Sequence, residues 1–492
     1  MNLKNKKKIA FLYFEPFKQS RYKIDYKDTN DFWSTKNFGS AVLRDVLLKS
    51  NIIADVCLPE NAHYYDIVLV SLTSHFDVFA FVNATRKNKN WQNRKFKVYA
   101  GGFGCQNINM LKEYIDYAFF GRAENEIVDM LEKRGDYEHQ SFLRLNKIEN
   151  VYINQVNLPY SEDVKINFNH LETYKESRLG CPNKCFYCHY TFTRKNISNG
   201  RFIYNEFDGA SDEIEWCKAD LYNPLKPHII TAIDGYSQRL RYSMNRRISD
   251  NSLIDFFIEV SAKTECSGLG IKLYNIVGLE GEDESDYYSF IDLCTKLDGR
   301  LKKPLTITLQ NTPFNPSPVT PMGYSPIKIN DYSDYKKNNR IFEGVNIKVQ
   351  HSLYMDSPYS HFSACLALRY TDKYNTLFNT ISFDSKFKAL NATDKYDYIL
   401  NNYDINDIVR EYDVTETLPT WYLNTYISND RIKKLRLKQK EWLNNMGSTN
   451  IDENRINELK DMITLLNIVG GKNSISKSKQ KAVKYDFYMN NL

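Results

Sequence analysis

Glu176-Ser-Arg-Leu-Gly-Cys181-Pro-Asn-Lys-Cys185-Phe-Tyr-Cys188 sets three cysteines on one short loop in a C-x3-C-x2-C spacing. Three thiolates so close in sequence can hold three corners of a 4Fe–4S cube, because soft sulfur ligands suit iron–sulfur clusters. The fourth iron then has no protein ligand nearby, and an open coordination site is where a metal centre takes up a substrate or cofactor. A cluster used only for electron transfer is normally closed by four cysteines. Two blander readings stand beside this one. A zinc knuckle would use Cys181, Cys185, Cys188 and His189, yet adjacent Cys188 and His189 could hardly both reach one tetrahedral ion. Cysteines merely packed in a core seldom show this spacing.

The loop resembles the cluster motif of the radical S-adenosylmethionine (SAM) superfamily, including the aromatic Tyr187 before the last cysteine. The resemblance implies a 4Fe–4S cluster on Cys181, Cys185 and Cys188 whose open iron chelates the amino and carboxylate groups of SAM. An electron from the cluster then splits SAM into methionine and a 5′-deoxyadenosyl radical, and Tyr187 joins the SAM cradle. Downstream, Ile229-Ile-Thr-Ala-Ile-Asp234-Gly-Tyr-Ser237-Gln-Arg239-Leu-Arg241 reads as a strand followed by a helix start. Ser237 suits the cap, and the helix N-terminus would favour an anion such as the SAM carboxylate. With Asn245-Arg-Arg-Ile-Ser249, this run is similar to a family stretch in which an acidic residue, a glycine and a Ser or Thr precede "RLR" and "NK". Asp234 stands where the family usually has glutamate, although an isolated Asp after a strand is more often only a turn or cap residue.

Ile271-Lys-Leu-Tyr-Asn275-Ile-Val-Gly278-Leu-Glu-Gly-Glu282 resembles the family's strand–G-x-P-G-E segment beside the SAM adenosine, with Glu280 in place of the proline. The resemblance gives Gly278 a backbone approach to the cofactor and Asn275 a hydrogen bond to it. Leu305–Leu309 reads as a buried strand, and Pro313-Phe-Asn-Pro-Ser-Pro-Val-Thr-Pro321 resembles the family's closing turn, whose prolines would stiffen a loop at a barrel mouth. Gly180 and Pro182 would allow the tight turn that points the thiols inward. Only 45 residues lie between Cys188 and Asp234, fewer than relatives usually have. Residues 190–226 are polar and poorly patterned, so the expected barrel is short, and the small acidic motif that often holds the SAM amino group is not assigned.

The chain has 492 residues, too long for one core. Hydrophobic residues are 42% and charged ones 26%, ordinary for a globular protein. The 36 tyrosines and 28 phenylalanines argue for packed cores against disorder. A net charge of +6 is too weak by itself to imply a nucleic-acid partner. No apolar stretch approaches the roughly 18 residues of a transmembrane helix. The basic start and apolar run Met1–Phe14 could suggest a signal peptide, but Glu15 and Pro16 end the run without a small-residue cleavage site, so a buried strand is expected. Nine cysteines, an odd number with three on one loop, do not look like a disulfide framework. A reducing cytoplasm fits them.

In the first 150 residues, strands are expected at Ile9–Phe14, Ile53–Leu58, Asp66–Ser71, Phe96–Ala100 and Ile115–Phe120, with a helix at Gly39–Ser50. Short apolar strands alternating with helices indicate a parallel sheet covered on both sides. Ligands bind such sheets at the carboxyl ends of strands, which makes Ser71, Gly101, Gly102 and Gly121 candidates. The segments YDIVLVSLTS, KVYAGGFG and YIDYAFFGRAENEIVDML resemble the cobalamin-binding domain that precedes the barrel in one radical SAM class. Asp-x-His-x-x-Gly is absent, and Asn37-Phe-Gly39 has no histidine before it. Two readings therefore stand: cobalamin held without a histidine below its cobalt, or a vestigial domain. A methylthiotransferase would need three further cysteines here, whereas only Cys57 and Cys105 are present.

The expected fold is α/β: an N-terminal Rossmann-like parallel sheet (1–150), a linker (151–172), a partial (β/α) TIM-type barrel (173–325) and a mixed α/β C-terminal domain (326–492) for substrate or partner contacts. "ETYKESRLG" would be the strand that enters the cluster loop. In the last domain, strands are expected at Val345–Val349 and Thr380–Phe383, and helices at Asn429–Asn445 and Ile451–Leu466, the latter capped near Gly470-Gly471. The basic run in 429–445 is either a phosphate-binding helix or a solvated face. The expected function is radical SAM chemistry on a C–H bond, with methyl transfer where cobalamin is present. The alternatives are cobalamin-free modification such as methylthiolation or oxidation, and a non-catalytic iron–sulfur nucleic-acid-binding or sensor protein. A small reductase or flavodoxin-like protein would deliver the electron.

Overall fold

The structure, a computed structural model, describes residues 7–15, 29, 32, 38–86, 88–121, 123–132, 146–148, 151–156, 164–167, 171–174, 178–179, 181, 183–193, 197–198, 219–329, 338–342, 345–351, 357–420, 423, 427–447, 449 and 451–473. The chain divides into two compact units. Residues 1–210, 315–329 and 357–438 form one, and residues 211–314, 330–356 and 439–492 form the other.

In the first unit, β1 (Ile9–Leu12), β2 (Ala54–Cys57), β3 (Ile67–Ser71), β4 (Lys97–Gly101), β5 (Tyr117–Gly121), β6 (Asn146–Ile148) and β7 (Val151–Val156) form one sheet. Its order is β2-β1-β3-β4-β5-β7-β6, with every pairing parallel except β6–β7. Both faces are covered, which is why the strands read as near-continuous apolar runs. Phe11, Leu69, Tyr99 and Phe119 share one face with Leu47 of the helix Phe38–Lys49 and Ile127 of the helix Glu124–Glu132. Ala10, Val68, Val98 and Ala118 face the other way, towards Phe79 and Val82 of the helix His75–Arg86. The same core takes in Val319 and Ile327, and Phe362, Leu366, Phe378 and Ile381 from the helices Pro358–Arg369 and Asn375–Phe383. The Pro-rich turn and much of the C-terminal third thus belong to the first unit, and the units do not follow the linear order expected of the chain.

Four local expectations are corrected. Residues 151–156, expected within an irregular linker, supply β7 beside β5. Thr380–Phe383, expected as a strand, ends the helix Asn375–Phe383, whose buried Leu377, Phe378 and Ile381 follow a helical period. The helix Glu453–Asn473 runs through Gly470 and Gly471 instead of being capped there. "ETYKESRLG" contains two short strands, β9 (Leu171–Tyr174), paired antiparallel with β8 (Val164–Asn167), and β10 (Arg178–Leu179), paired antiparallel with β11 (Ile197–Ser198).

In the second unit, β12 (His228–Ala232), β13 (Leu269–Val277), β14 (Leu305–Pro313), β15 (Asn338–Phe342) and β16 (Val345–His351) take the order β12-β13-β14-β16-β15, the last strand antiparallel. Residues paired in register across β13 and β14 make one apolar face: Ile271, Leu273, Ile307 and Leu309 pack with Phe257 and Val260 of the helix Asp250–Lys263 and with Phe290 and Ile291 of the helix Glu284–Thr295. Four parallel strands and an antiparallel edge make an open α/β sheet among the described residues, and a TIM barrel is not seen. No described helix is long and apolar enough to cross a membrane.

Candidate cofactor sites

The cysteine loop belongs to the first unit. Cys185 is buried, Cys181 and Cys188 are half-buried, and none is in a disulfide. Lys184 turns the chain through a left-handed conformation (φ 54°) just before Cys185. The Cys188 N–H donates to the Cys185 carbonyl (3.1 Å), and the short helix His189–Thr193 follows. The Phe186 carbonyl accepts from the Met322 N–H (3.1 Å), and the His189 ring lies 4.4 Å from that of Phe103. Tyr187 is half-buried between the two cysteines. Gly180 and Pro182 lie outside the described residues. Among the described residues no three His, Cys, Asp or Glu side chains are gathered closely enough to hold a metal ion. In chemical kind, three thiols on one turn fit an iron–sulfur cluster; in position, the loop must tighten to grip one.

At the carboxyl edge of the first sheet, Ser71, Gly101, Gly102 and Gly121 line one cavity of about 170 Å³. Phe11, Leu69, Tyr99 and Phe119 form its apolar floor, and Ser40 and Glu124 contribute polar groups. Gly102 (φ 106°) admits no other residue comfortably: a Cβ there would stand 2.4 Å from the Leu72 carbonyl oxygen. Among the described lining residues none is cationic and most are apolar, which suits a largely apolar group better than a phosphate. The sheet order changes direction between β1 and β3, the place where open α/β sheets leave a crevice.

The remaining candidates belong to the second unit, at the carboxyl ends of β12 and β13. Asp234 adopts a left-handed conformation (φ 61°), and its carboxylate lies 3.0 Å from Arg246 Nε. Arg246 also donates to the Ala232 carbonyl (2.8 Å). Arg241, fully buried, donates to the carbonyls of Gly235 (3.0 Å), Tyr236 (2.8 Å) and Ile248 (2.8 Å) and pairs with Asp250. Ser237 caps the helix Gln238–Ser243 by accepting from the Leu240 N–H (3.3 Å), while its hydroxyl donates to Asp286. That buried carboxylate already supplies a negative charge beside the helix start, where an external one was expected.

Asn275 lies on the helix-covered face of β13, 1% exposed. Its Nδ2 donates to Asn311 Oδ1 (3.0 Å), and Asn311 Nδ2 donates to the Tyr236 hydroxyl (2.7 Å), so three neighbouring strand ends share a polar chain. The Oδ1 of Asn275 is buried with no hydrogen-bond partner. Gly278 (φ 75°) turns the chain out of β13. The structure therefore brings Ser71, Gly101, Gly102 and Gly121 together at one cavity, keeps the cysteines and Tyr187 on one loop of the same unit, and sets Asp234, Ser237, Asn275 and Gly278 on neighbouring strand ends of the other.

Arg239, Arg241, Arg246 and Asp286 were not anticipated. Burial works against the Arg239 charge, but its bond to Asp286 and the charges of Asp286 and Asp283 raise its pKa above the ordinary arginine value. The available signal was Asp283-Glu-Ser-Asp286 ahead of an apolar run, a capping box that the structure contains.

No protein-family profile and no curated protein matches this chain. Among solved structures it is similar to apo OxsB, described as a cobalamin-dependent S-adenosylmethionine radical enzyme, at 12% identity and TM-score 0.29, over 99% of this chain and 71% of that one. OxsB with aqua-cobalamin bound matches at 13% identity and TM-score 0.27, over 82% and 59%. OxsB with aqua-cobalamin and S-adenosylmethionine matches at 11% identity and TM-score 0.27, over 93% and 73%. Likeness at these TM-scores does not establish a common fold or a common function.

Proposed function

We propose that this chain is a radical SAM enzyme in which Cys181, Cys185 and Cys188 hold a 4Fe–4S cluster and leave one iron open for SAM. The observation that carries the reading is the loop itself: three cysteines within eight residues, one buried and two half-buried, none in a disulfide. When bound, cluster and SAM together supply reductive cleavage of the sulfonium and attack on an unactivated C–H bond, chemistry that belongs to the cofactors. The protein's part is positioning. Tyr187 flanks the thiols, and the turns carrying Asp234, Ser237 and Gly278 offer backbone groups at strand ends, where α/β sheets receive ligands. Asn275 contributes an acceptor without a protein donor. A small reductase or flavodoxin-like protein delivers the electron.

Cobalamin is the second cofactor of this reading, and methyl transfer the reaction it would direct. The largely apolar cavity lined by Ser71, Gly101, Gly102 and Gly121, at the carboxyl edge of a parallel sheet, supports it. Cobalamin-free modification leaves that cavity without a corrinoid, and a sensor or nucleic-acid-binding protein leaves SAM intact. Anaerobic reconstitution with iron and sulfide, reduction and addition of SAM test the reading. The wild-type chain is expected to yield 5′-deoxyadenosine and Cys185→Ala none; wild-type protein with a full cluster and no product would refute it.

A further inference from the structure

Arg239 spends its whole guanidinium on the second unit. Its Nε donates to Asp286 Oδ1 (2.7 Å), its Nη1 to the Gly447 carbonyl (3.2 Å), and its Nη2 to Asp286 Oδ2 (2.6 Å), Asp283 Oδ2 (2.9 Å) and the Gly281 carbonyl (3.2 Å). Asp286, with no solvent exposure, also accepts from the Ser237 hydroxyl and from the Asp283 N–H (2.9 Å). The turn after β12, carrying Asp234 to Ser237, is thereby tied to the turn after β13, carrying Gly278 to Asp283. A third segment joins them: Gly281 (φ 80°) packs beside Leu443 and Met446, and the Thr449 hydroxyl donates to Ser285 Oγ (2.7 Å).

Capping the helix Glu284–Thr295 does not require this arginine, because Asp283 and Asp286 complete the box between them. The fork reaches past the box to two backbone carbonyls on separate segments, a geometry that planar guanidinium provides and a lysine ammonium does not. We propose that Arg239 and Asp286 form a positioning pair that fixes the spacing between the two turns and so sets the affinity for SAM. This rests on the radical SAM reading of the same turns. Neither residue touches SAM or the reacting atoms; each acts through the backbone it holds.

The test compares reconstituted full-length wild type, Arg239→Lys and Arg239→Gln. The readouts are iron content, and KM and kcat for SAM cleavage to 5′-deoxyadenosine. Since the cysteines belong to the other unit, iron content is expected to stay at the wild-type level. In Arg239→Gln the KM for SAM should rise about ten- to a hundredfold with kcat at saturation nearly unchanged, and Arg239→Lys should fall between. A merely structural role would lower kcat through loss of folded protein and leave KM alone, and that result would overturn the proposal. So would a KM equal to that of wild type. Should Arg239→Gln be insoluble, the KM shift of Arg239→Lys decides. Wild type that neither binds nor cleaves SAM removes the underlying reading and the pair with it, whereas wild-type cleavage with unshifted variants removes the pair alone.

Discussion

Gly102 shows how one residue's backbone can shape a site. Its positive φ and the 2.4 Å approach of a Cβ to the Leu72 carbonyl leave alanine no relaxed solution. Gly102→Ala is expected to destabilise the first unit by about 1–3 kcal/mol and to weaken any corrinoid binding; chemical denaturation beside wild type measures the first, and an unchanged midpoint would contradict it. His75 makes a different statement. Both its ring nitrogens are shielded from solvent and have no hydrogen-bond partner. Burial first, and then the charge of His361, press its pKa down to about 4. The folded state therefore keeps the ring neutral, while the unfolded chain protonates it near the ordinary value of about 6.5. The stability this secures is complete above that ordinary value and is lost as pH falls towards about 4. Denaturation midpoints of wild type should drop across this window, and those of His75→Gln should drop less; parallel curves would refute the assignment. Neither feature could be read from sequence, since a glycine's φ and a histidine's burial depend on distant chain.

The turn after β12 was legible as a strand end and a cap, and Ser237 caps as its position suggested. What escaped notice was the inward use of charge. In sequence the arginines of the run Arg239–Arg247 stand out only as part of a stretch similar to the family's, yet Arg241 and Arg246 hold carbonyls and a carboxylate of that turn, and Arg239 holds carboxylates and a carbonyl of the turn after β13. Asp286→Asn would leave Arg239 without its most buried counter-charge and should cost about 3–5 kcal/mol in urea denaturation; a loss below about 1 kcal/mol would place the pair among exposed ion pairs instead. Periodicity succeeded where an element had one strong pattern, as in the first-sheet strands and the helix Asn429–Asn445. It failed at Thr380–Phe383, where β-branched residues happen to close a helix, and at 151–156, expected within a linker, which pairs with β5 in the first sheet.

The expectation of domains strung along the chain missed how residues 315–329 and 357–438 return to the first unit. Such returns are decided by which apolar faces meet, and a single sequence gives the faces without their partners. The C-x3-C-x2-C run was legible because its chemistry is local: ligand type and spacing suffice to suggest a cluster, though not to show the thiols gathered. The cluster and zinc-knuckle readings of these cysteines differ most plainly in metal content. Anaerobic reconstitution followed by iron and sulfide analysis should give about four of each per chain, with the colour and both elements lost in Cys185→Ala. A wild-type chain that takes up no iron, or a Cys185→Ala variant that keeps the full complement, would contradict the account.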